Sequence, residues 1–432
     1  MTLHRRLWFS ASTRVSAAYA ALFSLTCLSL VYLPQWFVQV GLTTAQVGTV
    51  LAVAAIVKVP MTLLFGTAAD LLAKRKGVLF CAGALLMAGM PLLLVVRDWF
   101  WLCVTWALLG GLISTCIPLT DSIAVTTVRR EDVSYGRMRM WGSLFFLATS
   151  LFTGWLIRDT GTNALVYLLI FAAAVLLCCV LGLPNHSSAP PLAPAPVAEH
   201  GNIPDAPRRS SYTESAVTDS LADKDSVFNL TSQQNNSGWK LALAALLPVI
   251  RLPGFMVFLC CAATLMASHA ALYSLSTVYW SAAGISLPMI GFLWAVGVVA
   301  EIGFFFIART LVNKWDPWQL LLIAGVTGVV RWTITALVTD VRILIVIQAM
   351  HAVTFTFTQL AVVTYIGNKV PEELTSSAQS IYDSCALGIV FGLALYVSGS
   401  LSRIDVSWSF FAMAALSAIG CSIAAYRVLS GR

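Results

Sequence analysis

The chain has 432 residues, of which 59% are hydrophobic and only 10% are charged. Soluble domains carry about 25% charged and about 45–50% apolar residues, so the composition excludes a soluble globular, coiled-coil or disordered protein. The net charge of +7 is too small and too scattered to indicate nucleic-acid binding. An integral membrane protein is therefore predicted.

Twelve apolar runs are long enough to cross a bilayer, which takes about 20 residues. They cover 16–40, 44–69, 77–96, 99–126, 138–157, 163–183, 253–280, 287–308, 318–338, 341–367, 374–399 and 406–427. Six runs precede a long polar segment and six follow it. This pattern predicts an all-α membrane protein of two six-helix bundles, an N-terminal one over 1–183 and a C-terminal one over 251–432.

The polar segment 184–250 begins with a stretch rich in Pro and Ala and continues with Ser, Thr, Asn and Asp. Such a composition cannot bury enough apolar surface to fold, so a disordered linker is predicted. Residues 239–250 are expected to form a short amphipathic helix at the membrane surface. A docking or phosphorylation segment is the alternative to a plain tether.

The distribution of basic residues predicts the orientation of the spans. Twenty of the 26 Lys and Arg residues fall on the side of the N-terminus, four fall on the opposite side, and Lys58 and Arg331 lie inside spans. Cytoplasmic segments carry such an excess of positive charge, so both termini are predicted to be cytoplasmic. The first apolar run is too long for a cleaved signal peptide.

Signals for a cofactor, a metal or an enzymatic reaction are lacking in the sequence. All ten Cys lie in apolar runs and none belongs to a CxxC pair, which indicates small buried side chains rather than disulfides or zinc ligands. The chain has no phosphate-binding loop and no nucleophile motif. We therefore expect no cofactor, no metal and no enzymatic activity.

Ionisable residues inside spans are costly, so they mark substrate or ion pathways by default. The candidates are Lys58, Asp121, His269, Glu301, Arg331, His351 and Asp383. Glu301 lies between apolar residues, where a carboxyl keeps its proton more readily than in water, and is a predicted proton carrier. Arg331 stays charged and can hold a carboxylate with two hydrogen bonds, either from an anionic substrate or from Glu301.

The two histidines have a functional and a structural interpretation. His351 is a candidate proton relay, because imidazole titrates near physiological pH, or a packing residue that donates to a backbone carbonyl. His269 precedes Tyr273 by one helical turn, so the two share a face and are candidates for substrate binding.

Lys58 lies mid-span, too far from either end to reach water easily, and is predicted to face a cavity. A substrate carboxylate or Asp121 is its expected partner. Asp121 is a candidate for proton coupling or for capping the helix that restarts after Pro118. Asp383 is expected to contact the interior of the bundle.

A basic loop joins the second and third spans and contains Gly66, Asp70, Lys74 and Arg75. Such a loop is predicted to lock neighbouring helices in one conformational state, or merely to anchor the membrane edge. The loop resembles the signature loop of the major facilitator superfamily, although Leu71 and Ala73 replace the usual basic residue and glycine.

A closer resemblance is to the phenylpropionate permease family, in stretches that run through both halves. They are PLTDSIA (118–124), YGRMRMWGSLFF (135–146), SHAALYSLSTVYWSAAGIS (268–286), IGFLWAVGVVAE (290–301), GVVRW (328–332) and MHAVTFTFTQLA (350–361). This resemblance implies the major facilitator fold and import of a small aromatic acid such as 3-phenylpropionate with protons, by alternating access. It also implies a bacterial inner membrane location.

In that family a Glu, an Arg and a His would correspond to Glu301, Arg331 and His351. Their order resembles that in lactose permease, but Thr354 stands where that permease has a second Glu, so Glu301 alone is expected to carry the proton. Two halves in one chain are expected to work as a monomer. The alternatives are a proton symporter of sugars or nucleosides, an efflux transporter, and a membrane sensor or scaffold without transport.

Overall fold

The computed structural model describes residues 10–72, 74–131, 133–161, 163–184, 247–371 and 374–430, without the side chains of 129, 305–309, 311–313 and 376. All regular secondary structure in these ranges is helical. Twelve of the described helices are long and apolar enough to cross a membrane. The number predicted from the sequence is therefore confirmed.

We name these spans α1 to α12. They are α1 Ala11–Gln39, α2 Thr44–Leu71, α3 Arg75–Val95, α4 Trp99–Val128, α5 Tyr135–Thr160, α6 Ala164–Gly182, α7 Phe255–Ala282, α8 Leu287–Phe304, α9 Pro317–Leu337, α10 Val341–Lys369, α11 Ser377–Leu401 and α12 Val406–Ser430. The helix of α4 continues to Glu131 and that of α8 to Lys314. Most of the predicted linker lies outside the described residues, and of the predicted surface helix only 247–250 is described, as helix.

Side chains at the membrane edge determine where several spans begin. The hydroxyl of Thr43 accepts a hydrogen bond from the backbone of Gln46, and the Gln46 side chain accepts one from the backbone of Thr43. Asp316 and Gln319 repeat this capping box at the start of α9. Such boxes satisfy amide groups that have no partner within the helix, so α2 and α9 start at defined residues.

Four spans depart from regular α-helix in their middle. Short π-helical segments occur at Leu28–Tyr32 in α1, Ala352–Thr356 in α10 and Cys385–Val390 in α11. In α7 a break at 268–269 separates Phe255–Ala267 from Ala270–Ala282. Because π-helical turns are frequent at functional sites, these segments single out α1, α10 and α11.

The helices of 1–183 meet those of 251–432 most closely along α2 and α11. A Cβ atom added to Gly48 would lie 2.6 Å from the Cα of Gly399, so the two backbones touch. Beside them the hydroxyl of Ser402 donates a hydrogen bond to the hydroxyl of Thr44 at 2.7 Å. We call this end of the molecule the closed end.

The α5–α8 pair also closes this end. The Ser150 hydroxyl donates to the Gly291 carbonyl across the two halves at 2.8 Å. A Cβ on Gly154 would lie 3.0 Å from the carbonyl carbon of Leu287. Residue numbers therefore fall along α5 as they rise along α8, and this antiparallel register places Arg139 level with Ile302.

The two halves separate toward the opposite end, which we call the open end. Helix α2 packs along Cys385–Leu401 of α11 but scarcely meets Thr375–Ser384. A Cβ on Gly66 would have no atom within 4 Å. The structure is therefore closed at the end where α2 begins and open at the end where α2 terminates.

Candidate functional site

A cavity of about 180 Å³ lies between the two halves. Its wall combines the cation of Lys58 with three aromatic rings, those of Trp106, Tyr273 and Phe391. The remaining lining residues are hydroxyl-bearing or apolar: Thr26, Ser29, Leu30, Leu51, Ala54, Ala55, Gly110, Ile113, Ser114 and Leu395. An apolar pocket with a few polar groups and one cation suits a small amphipathic anion.

Lys58 is free to bind such an anion. Within the described ranges, its ammonium group forms no hydrogen bond and no ion pair within 4 Å. The charged group that acts on it electrostatically is Asp383 of α11, rather than Asp121. Asp383 itself accepts a hydrogen bond from Gln379 at 3.2 Å.

Arg331 lies behind the cavity wall and is completely buried. Its guanidinium donates to the Ile347 carbonyl at 3.2 Å, to Gln348 Oε1 at 3.0 Å and to Thr354 Oγ1 at 2.8 Å. It also lies 4.2 Å from the ring centroid of Trp332, in cation–π geometry. All of these partners are neutral, and no carboxylate of the described residues pairs with Arg331.

Both predicted histidines belong to this cluster, which we call the Arg331 cluster. His351 Nδ1 lies 3.1 Å from an Arg331 nitrogen, and His269 Nε2 lies 3.1 Å from Thr354 Oγ1. The break in α7 frees the Leu265 carbonyl, which lies 3.2 Å from His269 Nδ1.

Hydrogen-bond chemistry constrains where these rings carry protons. Arg331 is a donor only, so His351 Nδ1 must accept from it, and the His351 ring is assigned as neutral. His269 Nδ1 meets carbonyl oxygens and must donate. The Thr354 hydroxyl next to His269 Nε2 also lies 3.2 Å from the His351 carbonyl, so the direction of the His269–Thr354 hydrogen bond is not defined by its partners.

Tyr273 joins the cavity to the Arg331 cluster. Its ring lines the cavity, and its centroid lies 5.7 Å from that of Phe391 and 6.4 Å from that of His269. Trp294 packs on another side, at 5.5 Å. A ligand in the cavity is thus separated from the buried cluster by one side chain.

Glu301 is half-buried on α8, apart from Arg331. Among the described residues it forms neither a hydrogen bond nor an ion pair, so the ion pair with Arg331 that the sequence left open is absent from this conformation. Tyr273 and Arg139 interact with Glu301 electrostatically. The register of α5 against α8 is consistent with the interaction between Arg139 and Glu301, because it places the two residues at the same depth on opposite halves.

Asp121 belongs to a different cluster, inside the N-terminal half. Its carboxylate accepts from Tyr19 at 2.5 Å and from Tyr135 at 3.0 Å, and Arg139 lies 3.9 Å away. The guanidinium of Arg139 lies 4.0 Å from the ring centroid of Phe23. The structure thus separates Asp121 from His351 and Arg331, with Arg139 between Asp121 and Glu301.

The predicted conformational loop lies at the open end. Arg75 lies 3.7 Å from Asp70 and donates to the Thr126 hydroxyl of α4 at 3.3 Å, whereas Lys74 is exposed. These contacts link α2, α3 and α4 within one half. Gly66 lies one turn before Asp70, and a Cβ atom added to it would have no other atom within 4 Å.

Replacing Gly66 by Leu is expected to leave folding intact and to slow the transport that the sequence predicts about 5- to 150-fold. Gly66 lies two turns beyond Val59, on the face of α2 that packs on Gly388. When the open end closes, the new side chain must overpack against α11, which costs about 1–3 kcal/mol. Initial uptake rates and melting temperatures check this; Gly182→Leu, also in open space, is the control. An unchanged uptake rate would contradict it.

Three members of the site are not among the residues predicted from the sequence: Gln348, Thr354 and Arg139. Gln348 and Thr354 lie three residues to either side of the predicted His351 on α10, and this spacing alone indicates one helix face. Arg139 counts in the sequence only toward the topology. Its position opposite Glu301 depends on the packing of α5 against α8, for which the sequence carries no local signal.

Together, twelve candidate membrane-spanning helices and a cavity between two halves that are closed at one end form the architecture of a membrane transporter. The family profile described as "MFS_1 like family" matches residues 12–413. The chain therefore belongs to this family of the major facilitator superfamily.

Individual proteins support the same class. The chain is 28% identical over 379 residues, 86% of either chain, to the "Probable 3-phenylpropionic acid transporter" of Escherichia coli (strain K12). It is 31% identical over 176 residues to the maltose permease of Geobacillus stearothermophilus, covering 40% of this chain and 43% of the permease. The crystal structure of the nucleoside transporter NupG has the same fold, with a TM-score of 0.75 at 14% identity over 96% of this chain and 98% of that one.

Proposed function

We propose that this transporter imports a small aromatic carboxylate, such as 3-phenylpropionate, together with protons across a bacterial inner membrane, and works as a monomer. The observation that carries the proposal is the cavity wall, in which Lys58, which has no ion-pair partner among the described residues, faces the same space as the rings of Trp106, Tyr273 and Phe391. The cation would bind the carboxylate, while the rings would pack on the aromatic end.

Arg331 contributes the second positive charge of the proposed site. A buried charge without an ionic partner is costly, so an uncompensated guanidinium is best explained by an anion that arrives during the cycle. Tyr273 separates it from the cavity in this conformation, and a small movement of that ring would let a carboxylate reach it. His269 and His351 would hold Arg331 and Thr354 in place.

Charge balance supports coupling to protons. Without substrate, the cations of Lys58 and Arg331 are matched in number by the carboxylates of Glu301 and Asp383. An anionic substrate adds a negative charge, which a proton on Glu301 would cancel. Anion and proton then favour each other's binding, because opposite charges attract strongly in a medium of low dielectric constant. Asp121 would act on Glu301 through Arg139.

The predicted topology assigns the two ends of the molecule to the two sides of the membrane and is compatible with import. With both termini in the cytoplasm, the closed end faces outward and the open end faces the cytoplasm, where an importer would release its substrate. Transport also needs a difference in affinity between the two facing states. The relationship to the 3-phenylpropionic acid transporter supports the choice of substrate.

The test is uptake of labelled 3-phenylpropionate into proteoliposomes with and without an inward proton gradient. Accumulation should require the gradient, and unlabelled aromatic acids should compete. Maltose, nucleosides and the alcohol 3-phenylpropanol, which lacks the carboxylate, should not compete. Uptake that ignores the gradient would refute proton coupling, and competition by maltose or nucleosides alone would refute the aromatic acid.

Replacing Glu301 by Gln is expected to abolish accumulation against a gradient and to leave exchange of internal for external substrate. Gln imitates the protonated carboxyl, so the variant would bind substrate but could neither take up nor release the proton. The accumulation ratio should fall to about 1, measured beside the control Glu131→Gln, an exposed carboxyl at the end of α4. Full uphill transport by Glu301→Gln would show that another group carries the proton.

A further inference from the structure

We propose that Asp383 forms an ion pair with Lys58 when no substrate is bound. The ion pair would let the empty protein close its open end and change back to the conformation that binds the next substrate. Asp383 would thus compete with the substrate carboxylate for one cation. This inference rests on the proposed function, because it assumes that the substrate anion binds Lys58.

The two residues lie on facing helices of opposite halves. Helix α2 packs on α11 through Gly48 against Gly399 and Val59 against Gly388, so residue numbers fall along one helix as they rise along the other. By this register Lys58 lies level with residue 389. Asp383 lies about 9 Å nearer the open end, at 1.5 Å per residue. A lysine side chain covers most of that distance.

The open conformation keeps the two charges apart. They form no ion pair within 4 Å, although each is the charged group that acts electrostatically on the other. The reason lies in the helices: α2 scarcely meets Thr375–Ser384, the part of α11 that carries Asp383. Closing the open end must bring this part of α11 toward α2, and Asp383 toward Lys58.

Closure imposes an electrostatic requirement on Lys58. While the end is open, the Lys58 side chain is only partly buried and borders the cavity, through which water can reach it. Once the end is closed, a cation sealed between the halves needs a partner, because an unpaired buried charge is strongly destabilising. In the loaded protein the substrate carboxylate is that partner. In the empty protein Asp383, the described carboxylate that acts electrostatically on Lys58, can take that role. The π-helical Cys385–Val390, a feature frequent at functional sites, begins two residues beyond it.

The decisive experiment compares net uptake with exchange in Asp383→Asn. The empty variant would have to close with an unpaired Lys58, so net uptake should fall at least about 10-fold. Exchange should stay within about twofold of the wild type, because the substrate carboxylate still pairs with Lys58 in the loaded protein. The apparent KM should also fall, since a competitor has been removed. Asp405→Asn is the matched control: Asp405 caps α12 by accepting from the Ser407 amide, and Asn preserves such a cap.

Equal loss of exchange and net uptake in Asp383→Asn would overturn the proposal, as would net uptake at the level of the control. A second measurement needs no substrate: melting temperatures of Lys58→Met, Asp383→Asn and the double variant. If Lys58 and Asp383 form an ion pair, the double variant should recover stability that each single variant loses. Strictly additive changes in melting temperature would contradict the ion pair. If the wild type transports no aromatic acid, the proposed function fails, but this second measurement still decides whether the pair exists.

Discussion

Replacing Arg331 by Met is expected to abolish uptake of the proposed aromatic acid while the protein stays folded. Arg331 is fully buried, and all its described partners are neutral groups. Losing a buried charge that meets an anion costs about 2–5 kcal/mol of binding, or at least about a 30-fold rise in the dissociation constant. Removal of a charge that has no carboxylate partner also relieves a desolvation cost, so the melting temperature should change little.

Equilibrium binding of labelled 3-phenylpropionate to the purified variant checks this expectation, with Arg403→Met, which removes an exposed arginine beyond α11, as the control. Arg331→Lys refines the test. Its single ammonium group supplies the charge but not the planar fork that reaches Gln348 and Thr354 together, so it should bind at an intermediate level. Wild-type affinity in Arg331→Met would show that Arg331 serves packing alone.

The second large effect is expected at the closed end, where replacing Gly48 by Ala should shift the protein away from the present conformation. The new Cβ would lie 2.6 Å from the Gly399 Cα and 2.8 Å from the Leu395 carbonyl oxygen, and backbone atoms cannot rotate aside. Overpacking of this kind costs about 1–3 kcal/mol. The ratio of molecules with this end closed to molecules with this end open should therefore fall about 5- to 150-fold.

This shift is measurable through Ser402, which contacts Thr44 across the closed end. In a variant whose ten native Cys are replaced, a cysteine at 402 should react with a water-soluble maleimide faster when Gly48→Ala is added. Gly182→Ala, where a Cβ meets nothing within 4 Å, should leave the rate unchanged. Equal labelling rates in both backgrounds would mean that the Gly48–Gly399 contact does not hold this end closed.

Much of the architecture could be predicted from the sequence, because the free energy of inserting a helix into a bilayer is local. About 20 predominantly apolar residues suffice to define a membrane-spanning helix, whichever helices it later packs against. The twelve spans were therefore found within a few residues of their ends. The same argument selected Lys58, Glu301 and Arg331, because a charge inside a span is costly wherever its helix packs.

Which of these charges meet was decided by the tertiary structure alone. The sequence offers Glu301 as a partner for Arg331 and Asp121 as a partner for Lys58, but Arg331 binds neutral groups and the charge that acts on Lys58 is that of Asp383. Such partnerships join residues far apart in the chain. They depend on helix register and on local departures from α-helix, such as the break that places His269, and hydropathy reports neither.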